Sequence, residues 1–343
     1  MPAMKCVSAC RDPVALGGAH DIELQGDLAF VAGKGSGGHR PEAQRAAGSF
    51  GVVDVRDPRR PSVVGSLSFG EEGAWLQAET VLPDGPVCFV GGTCLWAVDV
   101  RRPAEPRVAA RLDDPRIASI NGMARRGRHL FAASKKNHVT VFDARDPFAP
   151  RLADAFEPRG TAFDSPHDLD LLGEDLLVVV NIKEGAPRDR LQVYRVAEGG
   201  SPEPLPSARW EFLGALDDPR LAGANRVRVR GEWAFVACNK GHAVAAVDLS
   251  DPRRPRAACV LPTPGRPCGL CLHGDRLYAA PGGGQGSEEF EVYDVSDPAR
   301  MRLLSRHAFA EATPDHDLVV RDGLAWATDQ DRDQVVAIDL GEG

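Results

Sequence analysis

Gly51-Val52-Val53-Asp54-Val55-Arg56-Asp57-Pro58 reads as a buried strand that ends on an aspartate and breaks at an Asp-Pro turn. An Asp side chain accepts backbone N–H groups at a turn, and proline ends ladder pairing. The phrase returns as Val141-Phe142-Asp143-Ala144-Arg145-Asp146-Pro147, as Ala246-Val247-Asp248-Leu249-Ser250-Asp251-Pro252 and as Glu291-Val292-Tyr293-Asp294-Val295-Ser296-Asp297-Pro298. Ala97-Val98-Asp99-Val100 and Ala337-Ile338-Asp339-Leu340 are shorter copies, and Leu191-Gln192-Val193-Tyr194-Arg195-Val196 is a diverged one. Seven copies spread from end to end are the signature of a closed repeat architecture of short strands, a β-propeller. Asp54, Asp143, Asp248 and Asp294 are read as turn residues, because regular repetition argues for architecture.

Outward from the first copy, His20-Asp21-Ile22-Glu23-Leu24 alternates as an inner strand and Leu28-Ala29-Phe30-Val31-Ala32 is a buried second strand. Phe50 to Val55 is the third strand and Ser62 to Phe69 the fourth, which makes a four-stranded antiparallel meander. Aligning the second strands puts Phe30, Phe89, Phe131, Leu177, Phe235, Tyr278 and Trp326 in one column, one for each of seven blades. The last repeat, His316 to Leu340, supplies three strands, so Met4 to Cys10 is expected to complete it and close the ring, removing exposed edges. The expectation is an all-β, seven-bladed propeller forming a single domain over residues 1–343, since no linker interrupts the repeats.

The Val-Val-Asp-Val, Val-Phe-Asp-Ala and Ala-Val-Asp-Leu cores, each followed by Asp-Pro and a second proline, resemble those of LVIVD-repeat propellers over nearly the whole chain. The resemblance implies the propeller fold. It implies no catalytic residue, because the family is poorly defined in activity.

With 343 residues, 43% of them apolar, the chain has material for a large core, and a formal charge of −8 lacks the concentrated Lys and Arg that phosphate backbones require. No nucleic-acid partner is expected. No apolar run approaches the roughly 20 residues of a membrane helix, and Met1 to Cys10 does not read as a secretory signal, so no membrane association and a cytoplasmic location are expected. Cys88, Cys238, Cys259 and Cys271 fall in strands, where cysteine behaves as a small buried apolar residue, and a reducing compartment fits. Cys268 and Cys271 stand three apart on one strand; a finger-type zinc site is not expected there.

Ten residues before each second-strand landmark stand His20, Glu79, Asn121, His167, Asn225, Cys268 and His316. Nine histidines in 343 residues would put about 0.2 of one on seven random positions, so three mark the column out. The first strand of a propeller blade lies nearest the axis, so these side chains should ring one channel mouth. Imidazole and carboxylate together are ligands for iron, copper, zinc or manganese, and His20, His167 and His316 with Glu79 are the expected set for a divalent transition metal. Asp21, Asp168 and Asp317 follow the three histidines. Strand neighbours point to opposite sides, so these aspartates, with Asn121, Asn225 and Cys268, are expected to orient ligands or bind backbone amides. The alternative is that polar residues line the channel only to hydrogen-bond one another, with His-Asp steps locking adjacent blades.

Lysine occurs at positions 5, 34, 135, 136, 183 and 240, and five of the six follow second strands on the same face. Lys34, Lys135, Lys183 and Lys240 are expected to rim the mouth and draw in an anionic small molecule. The Gly33–Ser49 loop is long enough to be a lid. Gly282-Gly283-Gly284-Gln285-Gly286 lacks the strand-to-helix context of a phosphate cradle, and Cys268 reads as a buried thiol before a nucleophile. The expected function is a metal-dependent small-molecule enzyme of oxidation, lyase or cyclisation chemistry, with Glu79, His167, Lys34, Lys135 and Lys240 as its catalytic groups. The competing reading is a non-catalytic interaction or ligand-binding scaffold, which the low aromatic content, 6%, disfavours as a hydrophobic docking surface.

Overall fold

The computed structural model describes residues 4–35, 47–70, 76–158, 165–183, 190–196, 210–282, 289–310 and 312–341. Among them 28 strands form seven four-stranded antiparallel sheets, each a blade built as a meander. Blade one runs Ala19–Gln25, Leu28–Gly33, Ser49–Asp54 and Ser62–Ser68 from axis to rim. Blade seven takes three strands from Leu318–Arg321, Leu324–Asp329 and Gln334–Asp339 and its fourth from Lys5–Arg11, which pairs antiparallel with Gln334–Asp339. The amino-terminal strand therefore closes the ring, as expected from the short last repeat. No helix of the described residues is long and apolar enough to cross a membrane.

The turn aspartates work as their repetition implied. Asp54, Asp99, Asp143, Asp248 and Asp294 each accept the backbone N–H two residues on, at 2.9 to 3.1 Å. At Asp54, Asp99 and Asp143 the arginine two residues on also folds its guanidinium back onto the carboxylate. These exposed pairs add little stability each; what they fix is the exit of the third strand.

The apolar core lies between blades. Phe30 shares a buried cluster with Val81, Cys88 and Trp96 of blade two, and Trp326 one with Ile22, Ala29 and Val31 of blade one. The column assigned from the sequence needs one correction. In blade four Leu172 pairs with Leu176, leaving a three-residue turn, whereas blade one has two residues between Gln25 and Leu28. Val178, opposite Asp170 as Phe30 is opposite Glu23, is the true counterpart and packs toward blade five, while Leu177 faces blade three.

One backbone feature builds the channel mouth. In blades one to six the register between the first two strands slips by one residue, at His20, Glu79, Asn121, His167, Asn225 and Cys268. Each is the extra residue of a β-bulge, a device that re-aims a side chain and leaves the bulged residue without a cross-strand partner. In blade seven His316 precedes its strand with φ of 67°, so a left-handed residue stands where the other blades carry a bulge.

Candidate functional site at the channel mouth

His20 and His167 are each 6% exposed and are held alike. His20 Nδ1 lies 2.7 Å from the carbonyl oxygen of Glu79, and His167 Nδ1 lies 2.7 Å from that of Asn225. Both acceptors are the bulged residue of the next blade. A carbonyl only accepts, so each Nδ1 carries the ring proton and each Nε2 keeps its lone pair. Burial, reinforced by the charges of Lys34 and His316, pushes the His20 pKa well below 6.5, and burial with Lys135 and Arg226 does the same to His167. Both imidazoles are neutral bases with a fixed tautomer.

The aspartates that follow complete the joint. Asp21 Oδ2 accepts the N–H of Val81 at 2.7 Å and Asp168 Oδ2 that of Val227 at 2.9 Å. Each His-Asp step therefore grips the next blade at two points, an imidazole N–H on one carbonyl and a carboxylate on the amide two residues later.

Glu79 belongs to blade two, but its carboxylate sits in a cage built by its neighbours. Lys34 Nζ, from blade one, and Lys135 Nζ, from blade three, lie 2.9 and 3.3 Å from the same oxygen, Oε2, while Ser119 Oγ donates to Oε1 at 3.4 Å. The Glu79 side chain is 3% exposed. Burial alone would raise its pKa, yet the ammoniums of Lys135 and Lys34 hold it down at about 2. Burial lowers the pKa of Lys135, although Glu79 opposes the shift. Two cations on one anion leave this cluster with one surplus positive charge.

Beneath the ring the channel is crossed by Arg226, 4% exposed, which occupies in blade five the place of Asp21 in blade one. Its Nη1 donates to the carbonyl of Asn121 in blade three at 2.8 Å, and its Nη2 lies 3.3 Å from Asp21 of blade one and 3.5 Å from Asp317 of blade seven. Burial pushes the Asp317 carboxyl well above its ordinary value, whereas at Asp21 burial is outweighed by hydrogen bonding and the charge of Arg226, which hold it below its own. Gly122 and Gly269 in the same tier leave the room: a Cβ at Gly122 would meet Asp168 Oδ1 at 2.1 Å and one at Gly269 the His316 carbonyl at 2.7 Å. Below Arg226 is a cavity of about 260 Å³ lined by Glu23, Asp168, Asp170 and Arg228 among others. Burial and repulsion from Asp21 raise Glu23 there to about 7.

The structure gathers part of the predicted set. His20 and His316 lie with ring centroids 4.7 Å apart, and His316 Nδ1 stands 3.6 Å from Asp315. His167 stands three blades away across the channel. Among the described residues no three His, Cys, Asp or Glu side chains are grouped to hold a metal ion. The expected coordination sphere of His20, His167, His316 and Glu79 is not assembled among the described residues, because Glu79 serves two ammoniums and His167 stands across the channel from the other two histidines. Asn121 and Asn225 support the ring through their carbonyls. Cys268 Sγ accepts from Asn225 Nδ2 at 3.4 Å and Asn239 Nδ2 at 3.1 Å, and burial raises its pKa, which fits a resting thiol. None of the eight cysteines forms a disulfide. Lys240 and Lys183 are exposed, the former with its stem against Gly223 of its own blade. Residues 36–46 of the Gly33–Ser49 loop and 283–286 of the glycine run lie outside the described residues. A larger groove of about 500 Å³ on blade two is lined by Asp99, Arg101, Arg102, Glu105 and Arg107, exposed ion pairs of the turn. Both of its carboxylates are already paired with arginines.

Arg226, Arg228 and Ser119 were missed from sequence. The visible sign of Arg226 was its place directly after a ring residue, as the one basic residue in a column that holds Asp21, Asp168 and Asp317 in three other blades.

The LVIVD repeat family model matches residues 223–258, in blade five. No curated protein matches the chain. Among solved structures, the Cps50 (Swd1) β-propeller domain of Myceliophteria thermophila superposes with a TM-score of 0.69 at 11% identity, over 98% of this chain and 99% of that one. The WD40 β-propeller domain of Doa1 gives 0.69 at 8% identity, over 98% and 97%. A "putative 6-phosphogluconolactonase" from Bacteroides uniformis gives 0.65 at 11% identity, over 84% and 85%. At these identities the likeness is one of fold alone.

Proposed function

We propose that this seven-bladed propeller, which carries an LVIVD repeat in blade five, is a small-molecule enzyme whose site is the upper channel mouth. Its anionic substrate is held by Lys34 and Lys135, and Nε2 of His20 and His167 exchange protons with it. The observation that carries this reading is the matched pair of inter-blade hydrogen bonds, which leaves two neutral imidazoles whose Nε2 has no partner among the described residues. A base needs a lone pair within reach of the proton it takes, and a pKa below neutrality keeps that lone pair available. The nearby cations make an imidazolium short-lived, so a proton taken from bound hydroxyl or water is readily handed back. The ammoniums also stabilise negative charge that develops on substrate oxygen. Fold-level likeness to both WD40 domains and an enzyme-like propeller is neutral between the two function classes.

Calorimetric titration with small carboxylates and phosphates tests it, comparing the native protein with Lys34→Met/Glu79→Gln/Lys135→Met. Replacing the three charges together avoids stranding a buried carboxylate. Saturable anion binding in the native protein, at least tenfold weaker in the triple variant, is expected. Equal binding by both, or none by the native protein, overturns the reading.

A docking platform is the second reading, and the adjacent Leu303 and Leu304 on the outer strand of blade six, each 41% exposed, are what favour it. Partner binding would then survive the triple replacement and fall on Leu303→Asp.

A further inference from the structure

We infer that the ligand of the channel mouth is a polyhydroxylated carboxylic acid, its carboxylate on Lys34 and Lys135 and its hydroxyls donating to Nε2 of His20 and His167. The inference rests on the site proposed above and narrows what enters it.

Charge sets the first limit. The two ammoniums share one Glu79 oxygen and retain one positive charge between them. Below them the charge of Arg226 is already met by Asp21 and Asp317, 3.3 and 3.5 Å away. A carboxylate monoanion brings the cluster to neutrality, whereas a phosphate dianion overshoots it in a site where unpaired charge is costly.

Hydrogen-bond polarity sets the second. Each Nδ1 carries the ring proton and donates it in a hydrogen bond to a carbonyl, so Nε2 can only accept, and the ligand must present donors. An ammonium donor would stand beside Lys34, Lys135 and Arg226, the cations that already depress the His20 pKa. The donor must therefore be neutral, and a hydroxyl, which can also accept from the lysines, suits the site.

Geometry supplies the third. His20 is bonded to the backbone of Glu79, whose side chain carries both lysines, so acceptor and anion anchor are parts of one residue's surroundings. His167 stands on the other wall. Arg226 alone reaches from blade five to blades one, three and seven, so the channel there is one arginine side chain across. A short chain bearing several hydroxyls, as in a sugar acid, spans that width and meets both acceptors.

The test is a series of probes on the full-length native protein, read by calorimetry and by ¹⁵N signals of the histidine rings. Gluconate supplies hydroxyls and a monoanion, hexanoate the monoanion alone, sorbitol the hydroxyls alone, and glucose 6-phosphate a dianion. Gluconate is expected to bind at least tenfold more tightly than each of the other three and to shift the His20 and His167 Nε2 signals. In His20→Phe its affinity should fall about tenfold, toward that of hexanoate. If hexanoate matches gluconate, the hydroxyl assignment is wrong while the anion site stands. If glucose 6-phosphate binds more tightly than gluconate, the monoanion assignment is wrong. If no anion binds, this inference and the proposed function fall together.

Discussion

At His20 and His167 a carbonyl from the next blade accepts a hydrogen bond from Nδ1–H, and burial with nearby cations keeps the rings neutral. Their pKa values are lowered in the folded protein, so the unfolded chain takes up protons first as pH falls below 6.5, and their contribution to stability, present above 6.5, is lost on acidification. An NMR titration should find both midpoints below 6.5; a midpoint at or above it would contradict the burial described here. Glu23 runs the other way. Raised to about 7, it stabilises the fold fully below 4.5, and that stability is lost as pH rises through about 7. Glu23→Gln should therefore gain about 1–3 kcal/mol relative to the native protein between pH 4.5 and 8. Urea unfolding at the two pH values checks this, and an unchanged difference would refute it. The ring residues were legible in sequence because a fixed count led back to polar side chains in every blade. Arg226 was not, because its role depends on the carboxylates it meets from three other blades, and no local pattern encodes those contacts.

The strand pattern announced four strands per blade, but not the bulge that aims the ring. A one-residue slip at the start of a strand leaves the rest of the alternation intact, so nothing in Ala19 to Gln25 betrays it. The same blindness put Leu177 in the landmark column in place of Val178: the three-residue turn of blade four shifts the second strand by one, and the ten-residue count still reached His167 because the two offsets cancel. At this scale Gly122→Ala is the informative change. Its Cβ would lie 2.7 Å from the Asp168 Cα, which is backbone and cannot swing aside. The expected cost is about 2–4 kcal/mol, measured by urea unfolding; a native-like midpoint would mean that blades three and four separate more easily than their packing implies.

Across the whole ring the core is divided into wedges between neighbouring sheets, and the last wedge depends on residues from both ends of the chain: Met4 and Cys6 share a cluster with Tyr278 and Val336. Short Asp-Pro phrases made this circular plan legible, since a repeat that runs out one strand early calls for its complement elsewhere. Deleting residues 1–11 would expose Gln334–Asp339 as an open edge. The truncated chain should lose cooperative thermal unfolding and move to aggregates on size exclusion, and a compact species with native melting would show that the seam is dispensable.

Arg226 also determines traffic. Because its guanidinium reaches Asn121, Asp21 and Asp317 beneath the imidazoles, it stands across the axis between the mouth and the cavity below. If the proposed reaction takes place in the mouth, its product would leave on the side by which the reactant entered, and added product should inhibit competitively.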